Sequence, residues 1–271
     1  MSERGVYLYG VAAAAAAEDL PEGADALDLR FSLELVVHGE LVALTSEIEI
    51  EWLQEQLRGA EEGDLAGLEP VVRAHEEVLA RALDVDAVVP FRFGTILPGE
   101  AELRSFVAER EPQLLETLER LRGAREWGAK ALLEPETAET AATADDPRLA
   151  ELAARAAEGS GSAFFARKRL DAGRSERVRR AAAELAEACH ERLAACSREA
   201  VVNPLQPPEL SGYAMPMILN GAYLVERERE EELRKALEQL QAEYADRGVV
   251  LELTGPWPAY NFVQTASAVM G

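Results

Sequence analysis

Histidine, cysteine and positive charge are scarce in this sequence of 271 residues, and no long apolar run occurs. Cys189 and Cys196 are the two cysteines. On the helix predicted around them they lie about 10 Å apart along the axis, too far to bridge each other. They read as small buried apolar side chains in a reducing compartment. The three histidines, His38, His75 and His190, lack partners at metal-binding spacing, and a structural zinc site wants four ligands. Lysine and arginine number 28 against 50 aspartates and glutamates, giving a net charge of −22. Such a field repels nucleic acid and anionic membrane surfaces, so neither is an expected partner. No stretch reaches the ~18 to 20 apolar residues that span a bilayer, and Met1-Ser-Glu-Arg4 lacks the basic flank and apolar core of a signal peptide. A cytoplasmic protein is expected.

Reactive-site patterns are missing too. There is no Gly-x-Ser-x-Gly elbow, no phosphate-binding glycine-lysine loop and no alternating carboxylates of a calcium loop. Gly159-Ser-Gly-Ser162 follows a predicted helix instead of a strand and reads as a hinge. Carboxylate pairs such as Glu61-Glu62, Asp84 with Asp86, and Asp145-Asp146 are what chance supplies in so acidic a chain. No catalytic residue, cofactor site or metal site is therefore expected, and the chain is read as non-enzymatic. One local exception to the acidity is Arg167-Lys-Arg169 with Arg174, Arg177, Arg179 and Arg180, which serves either the chain's own glutamates or an acidic partner.

Apolar residues make up 48% of the chain, enough for packed cores. Gly5 to Val11 reads as a buried strand. Asp28–Val37 and Leu41–Thr45 read as a hairpin turning at His38-Gly-Glu40, with helical segments near residues 49–57 and over 67–83. Val85 to Phe93 is a strand candidate, and a long helix from Glu100 carries Pro112, where a kink or break is expected. Residues 134–147 contain no large apolar side chain and read as an exposed acidic Ala/Thr/Glu linker. Beyond it, helices are predicted at 148–158 and 175–196, the second with Val178, Ala182, Leu185, Cys189, Leu193 and Cys196 on one face. Strands are predicted at 201–202, from 213 to 225 with Pro216 weakening the start, and at 249–253, with a charged helix over 226–244. The fold class is α+β in two domains joined through long helices: residues 1–133, the linker 134–147, and 148–271. The order of the last part is that of a ferredoxin-like unit with an altered first element.

Aromatics are few, at 6%, but they gather in glycine- and proline-rich stretches. Pro90-Phe91-Arg92-Phe93-Gly94-Thr95 places Phe91 and Phe93 on one side of its strand and Arg92 on the other. Glu126-Trp127-Gly-Ala-Lys130 sits where the long helix gives out, and Gly255-Pro-Trp257-Pro-Ala-Tyr260-Asn261-Phe262 is an extended tail stiffened by prolines. These stretches fit closure of a core or contact with a partner. Together with Tyr7-Leu-Tyr-Gly10, Gly161-Ser-Ala-Phe164-Phe165 and Asn220-Gly-Ala-Tyr223-Leu-Val225, in this order over nearly the whole length, they resemble the gas vesicle protein F/L family. Gly221, Ala259 and Ala129 stand where the family pattern favours alanine, proline and valine.

The resemblance implies an accessory or minor gas vesicle protein, cytoplasmic and associated with gas vesicles. It implies a chaperone-like role in assembly through binding of the major hydrophobic shell protein and other accessory proteins. It also implies an N-terminal α+β domain and a modified ferredoxin-like C-terminal one, with the aromatic and glycine residues above as candidate interaction or structural positions. The alternative reading is a ferredoxin-like regulatory module that binds a small metabolite.

Overall fold

The computed structural model describes residues 3–61, 65–85, 87–157, 163–207 and 212–263. They form two compact units: residues 1–126 with 257–271, and residues 127–256. The predicted hinge Gly159–Ser162 lies outside the described residues.

The first unit is built on β1 (Arg4–Ala13), which is buried over nearly its whole length. It pairs antiparallel with β3 (Leu41–Glu49), β4 (Val88–Pro90) and β5 (Ile96–Leu97), and β3 pairs with β2 (Glu34–His38) in a tight hairpin. The sheet order is β2-β3-β1-β4. A register shift between Leu8 and Gly10 marks a bulge in the central strand. A strand buried on both faces needs cover on both. Helices α1 (Ile50–Glu61) and α2 (Leu65–Val85) supply one layer, where Leu53, Val71, Val78, Leu79 and Ala82 join Tyr7, Tyr9, Val42 and Ile48 in one core. Helix α3 (Glu100–Leu121) supplies the other, burying Leu103, Val107, Leu114 and Leu118.

Four expectations need correction here. The hairpin's first strand starts at Glu34, because Asp28 instead folds a turn by accepting hydrogen bonds from the Arg30 backbone and guanidinium. The strand expected over 85–93 keeps only Val88–Pro90. Gly94, at φ +83°, turns the chain immediately after, so Phe91 and Phe93 do not share a strand face. Pro112 does not break α3, whose leucine stripe continues on both sides of it. Trp127 does not mark a helix end; it lies inside strand β6 (Ala124–Leu133).

In the second unit, β6 is followed by α4 (Pro135–Ala144), α5 (Pro147–Ala157), α6 (Ala163–Ala194), β7 (Glu199–Val202), β8 (Met217–Glu226), α7 (Glu230–Tyr244) and β9 (Val249–Trp257). The sheet runs β7-β8-β6-β9. Its core joins Trp127, Ala129, Ala131 and Leu133 to Leu185, Cys189 and Leu193 of α6, Leu219, Tyr223 and Val225 of β8, and Leu233 and Leu240 of α7. The predicted face of the 175–196 helix is thus the buried one. Gly248, at φ +81°, separates α7 and its terminal turn from β9.

The expected exposed linker is instead ordered. Glu134 caps α4, accepting the backbone N–H groups of Glu136 and Thr137 at 3.1 and 2.6 Å, with Pro135 in the first turn. Ala138 and Ala142 are buried. Alanine is the strongest helix former, and its small side chain allows close packing on α6 where no large apolar residue is present.

At Gly221 the absence of a side chain has a clear use. A Cβ there would fall 2.5 Å from the Tyr223 hydroxyl and 2.6 Å from its ring, two residues along the same strand face. Gly221→Ala is expected to destabilise the protein by ~1–3 kcal/mol through overpacking. Chemical denaturation would measure it, and combining it with Tyr223→Leu should recover part of the loss.

Candidate functional site

The first unit holds a buried polar cluster that local sequence patterns do not reveal. His75 lies on the inward face of α2, one turn from Val71 and Leu79, and is fully buried. Its Nδ1 is 3.0 Å from the Tyr7 hydroxyl on β1, and its Nε2 is 2.9 Å from the Tyr260 hydroxyl in the segment after β9. The Gly94 N–H donates to Tyr7 Oη at 2.9 Å, and Tyr260 donates to Glu76 Oε1 at 3.1 Å. A neutral imidazole protonated at Nε2 uses each polar hydrogen once: Gly94 to Tyr7, Tyr7 to His75, His75 to Tyr260, Tyr260 to Glu76. Tyr9 stacks on the His75 ring at 5.6 Å, and Phe93 meets it edge-on at 5.7 Å. Tyr9 in turn accepts the Leu27 N–H at 2.9 Å and lies 3.1 Å from Ser46 Oγ.

Burial sets the protonation of every member. It lowers His75 to about 4, with a backbone hydrogen bond at Phe91 opposing it. Desolvation pushes Tyr9 up to about 12, and raises Tyr7 and Tyr260 further. Tyr7, Tyr9, His75 and Tyr260 are therefore neutral at pH 7, while burial raises the carboxyl of half-buried Glu76. An imidazole with both nitrogens engaged and no exposed surface ties chain segments together and offers no free nitrogen to a substrate.

The same segment is fastened twice more. Buried Glu126 accepts the Asn261 backbone N–H at 3.0 Å and its side-chain amide at 2.6 Å. Arg120 donates to the Phe262 carbonyl, and the Phe262 ring is buried. Tyr260, Asn261 and Phe262 thus form a latch within the first unit.

The remaining predicted positions separate. Phe91 is buried and packs edge-on against Phe106 of α3 at 5.6 Å, while Arg92 is exposed and its carbonyl accepts the Thr95 hydroxyl at 2.7 Å. Trp127 lies in the second core under the Arg234 guanidinium, 4.5 Å from its ring centroid. Lys130 Nζ lies 4.9 Å from the Tyr213 ring, whose hydroxyl donates to Glu252 at 2.6 Å. Tyr223 is buried against His190 Nδ1 at 3.1 Å. Of the thirteen candidates, Arg92, Phe164, Phe165, Trp257 and Asn261 are exposed. Tyr7, His75, Glu76 and Glu126 were missing from that set. The usable signal was a lone histidine in phase with the buried stripe of α2.

Both cysteines are free and buried, and burial pushes Cys189 up to about 11, so its thiol is inert at neutral pH. Among the described residues no group of three or more His, Cys, Asp and Glu could hold a metal, and no helix is long and apolar enough to cross a membrane.

Fold and site together define an α+β protein with two mixed sheet-and-helix units, in which the Tyr7–His75–Tyr260 cluster is consumed in holding the chain's own segments. The chain belongs to the family described as gas vesicle synthesis protein GvpL/GvpF, which matches residues 5–264. It is 32% identical over 248 residues to gas vesicle protein L of Streptomyces sp. (strain CB03234), covering 91% of this chain and 88% of that one. To gas vesicle protein F of the same strain it is 33% identical over 259 residues, covering 95% and 99%. The crystal structure of GvpF from Anabaena sp. PCC7120 shares the fold at a TM-score of 0.71 and 18% identity, over 98% of this chain and all of that one. GvpF from Microcystis aeruginosa does so at 0.63 and 19%, over 96% and 99%. The resemblance carried by the aromatic stretches is thereby established, and with it a role connected to gas vesicles.

Two outcomes follow from the latch. The unfolded chain's His75 takes up a proton below about pH 6.5 and the folded chain's only near 4, so its stability contribution is full above 6.5. It falls by roughly 3 kcal/mol as pH drops through that window. Glu76 and Glu126, raised by burial, act with the opposite sign, losing stability as pH rises through their folded values. Urea titrations of the wild type and His75→Gln at several pH values should show their stability difference narrowing toward acid; a pH-independent difference contradicts this assignment. Separately, Asn261→Ala removes the side-chain amide donor from the buried Glu126 carboxyl while keeping the backbone one, and is expected to cost ~1–3 kcal/mol. That should appear as roughly tenfold or greater acceleration of amide exchange at Phe262.

Proposed function

We propose that this chain acts in gas vesicle assembly as a cytoplasmic, non-enzymatic accessory protein that binds the major hydrophobic shell protein and other accessory proteins. Membership of the GvpL/GvpF family, whose description is gas vesicle synthesis, carries the reading. The physical rationale is solubility. A shell subunit with a large apolar face aggregates unless that face is covered, and a carrier with a net charge of −22 keeps such a complex dispersed. The latch cluster supports a scaffold role, since its polar groups serve the chain's own segments.

The second unit is read as a modified ferredoxin-like fold. The sequence β6, α6, β7, β8, α7, β9 with sheet order β7-β8-β6-β9 supports this, α4 and α5 being additions after the first strand. The alternative, a regulatory module for a small metabolite, requires a polar pocket. The recess between α4 and α6 holds only about 20 Å³, too little for a metabolite, and is lined mainly by Leu133, Ala138, Ala142, Val178, Ala182 and Leu185, which favours the protein-binding reading.

Co-expression with the shell protein followed by affinity capture of this chain is expected to retain the shell protein at both low and moderate salt. Recovery of this chain alone under both conditions would remove the proposal.

A further inference from the structure

The first two turns of α6 carry an unusual surface. Phe164 and Phe165 are 69% and 68% exposed, and their rings meet edge-on at 5.7 Å. Arg167, Lys168 and Arg169 follow, all exposed, and none of their side chains makes an ion pair or hydrogen bond among the described residues. Ala166 and Leu170 face inward. At helical spacing Lys168 stands one turn above Phe164, and Arg169 one turn above Phe165. The surface is therefore two aromatic plates, each next to a cation.

Further along α6 three cations are engaged: Arg174 donates to Thr143 at 2.8 Å, and Arg179 and Arg180 pair with Glu176 at 2.9 and 3.6 Å. In a chain with 50 acidic and 28 basic residues, three adjacent unpaired cations are a local reversal of sign. The first turn of α6 contains no acidic residue, and the positive end of the helix dipole adds to the same sign. Among the described residues nothing neutralises this group or covers the two rings.

The geometry points to an interaction surface, Phe164, Phe165, Arg167, Lys168 and Arg169, that docks a carboxylate-bearing amphipathic segment of a protein partner. Apolar side chains of that segment cover the rings while its carboxylates meet the three cations. The occupant is a protein segment because the field of −22 acts against extended polyanions such as nucleic acid or an anionic bilayer. A short acidic segment on a partner of modest overall charge escapes most of that repulsion. The inference rests on the assembly reading and names the chemistry of one contact in it.

The test uses the full chain and a labelled helical peptide in which glutamates and leucines share one face. Saturable binding is expected, weaker by about tenfold or more in Phe164→Ser/Phe165→Ser and in Arg167→Glu/Lys168→Glu/Arg169→Glu. It should also weaken as salt rises, and weaken when glutamine replaces glutamate in the peptide. Arg179→Glu/Arg180→Glu, farther along the helix, should bind as the wild type does. All five patch side chains are exposed, so thermal midpoints should hold; F165S and R169E singly replace any combined variant that does not fold. Absent binding to the wild type, equal binding to the patch variants, or preferential binding of phosphatidylglycerol vesicles or single-stranded RNA overturns the inference. Shell-protein capture is read separately. Its persistence alongside a failed peptide arm removes this surface and leaves the assembly reading standing, whereas its loss in the wild type removes that reading without touching the peptide result.

Discussion

Three side chains that water would otherwise solvate, Tyr7, His75 and Tyr260, have been withdrawn from it together, and each is tolerable inside only because the others are there. An unpaired buried polar group costs on the order of 1–3 kcal/mol. The cluster therefore dictates the arrangement of the elements that carry it. β1 must present Tyr7 toward α2, α2 must place His75 on its inward stripe, and the segment after β9 must return far enough to bring Tyr260 to Nε2. The turn at Gly94 belongs to the same constraint, because its N–H fills the remaining acceptor position on Tyr7. Glu126 and Arg120 then hold the neighbouring residues of the latch.

The second unit meets its packing demand differently. It relies on small residues at close approaches: alanines on α4 and β6, and Gly221 beneath the Tyr223 ring. Charge is left outside. Most ion pairs, such as Arg73 with Glu69, join exposed partners and contribute little to stability individually. Their abundance matters more for what they leave over, since the cations of the first turns of α6 stand apart from this pairing.

Much of the fold was legible where burial recurs at a fixed period. The stripes of α2, α6 and α7 and the turn at Gly39 could be read directly, because leucine, valine and cysteine at helical spacing have few other meanings. β6 was not legible. Ala124 to Leu133 has a single aromatic and no β-branched residue, and it follows a strong leucine stripe that masks its start. α4 was hidden because alanine marks neither face of a helix until a neighbour covers one. The alternation assigned to Phe91 and Phe93 assumed a strand that Gly94 ends. The site was least legible of all: His75 meets Tyr7 across 68 residues and Tyr260 across 185, and no local pattern records such pairings. The exposed aromatics Phe164 and Phe165 and the basic run beside them could be singled out in the sequence; that the run is unpaired could not.

The second unit is an insertion within the first, since the residues that complete the first unit come after the whole of the second. On a ribosome this imposes an order. Glu126 emerges 135 residues before Asn261, a delay of roughly 7 to 27 s at ordinary elongation rates. Through that interval His75 and Glu126 have no Tyr260 or Asn261, and the nascent first unit can hold only a provisional form. Closure of the first unit waits until Tyr260 and Asn261 have been made, so a product truncated before them is marked as incomplete by its own unfilled core.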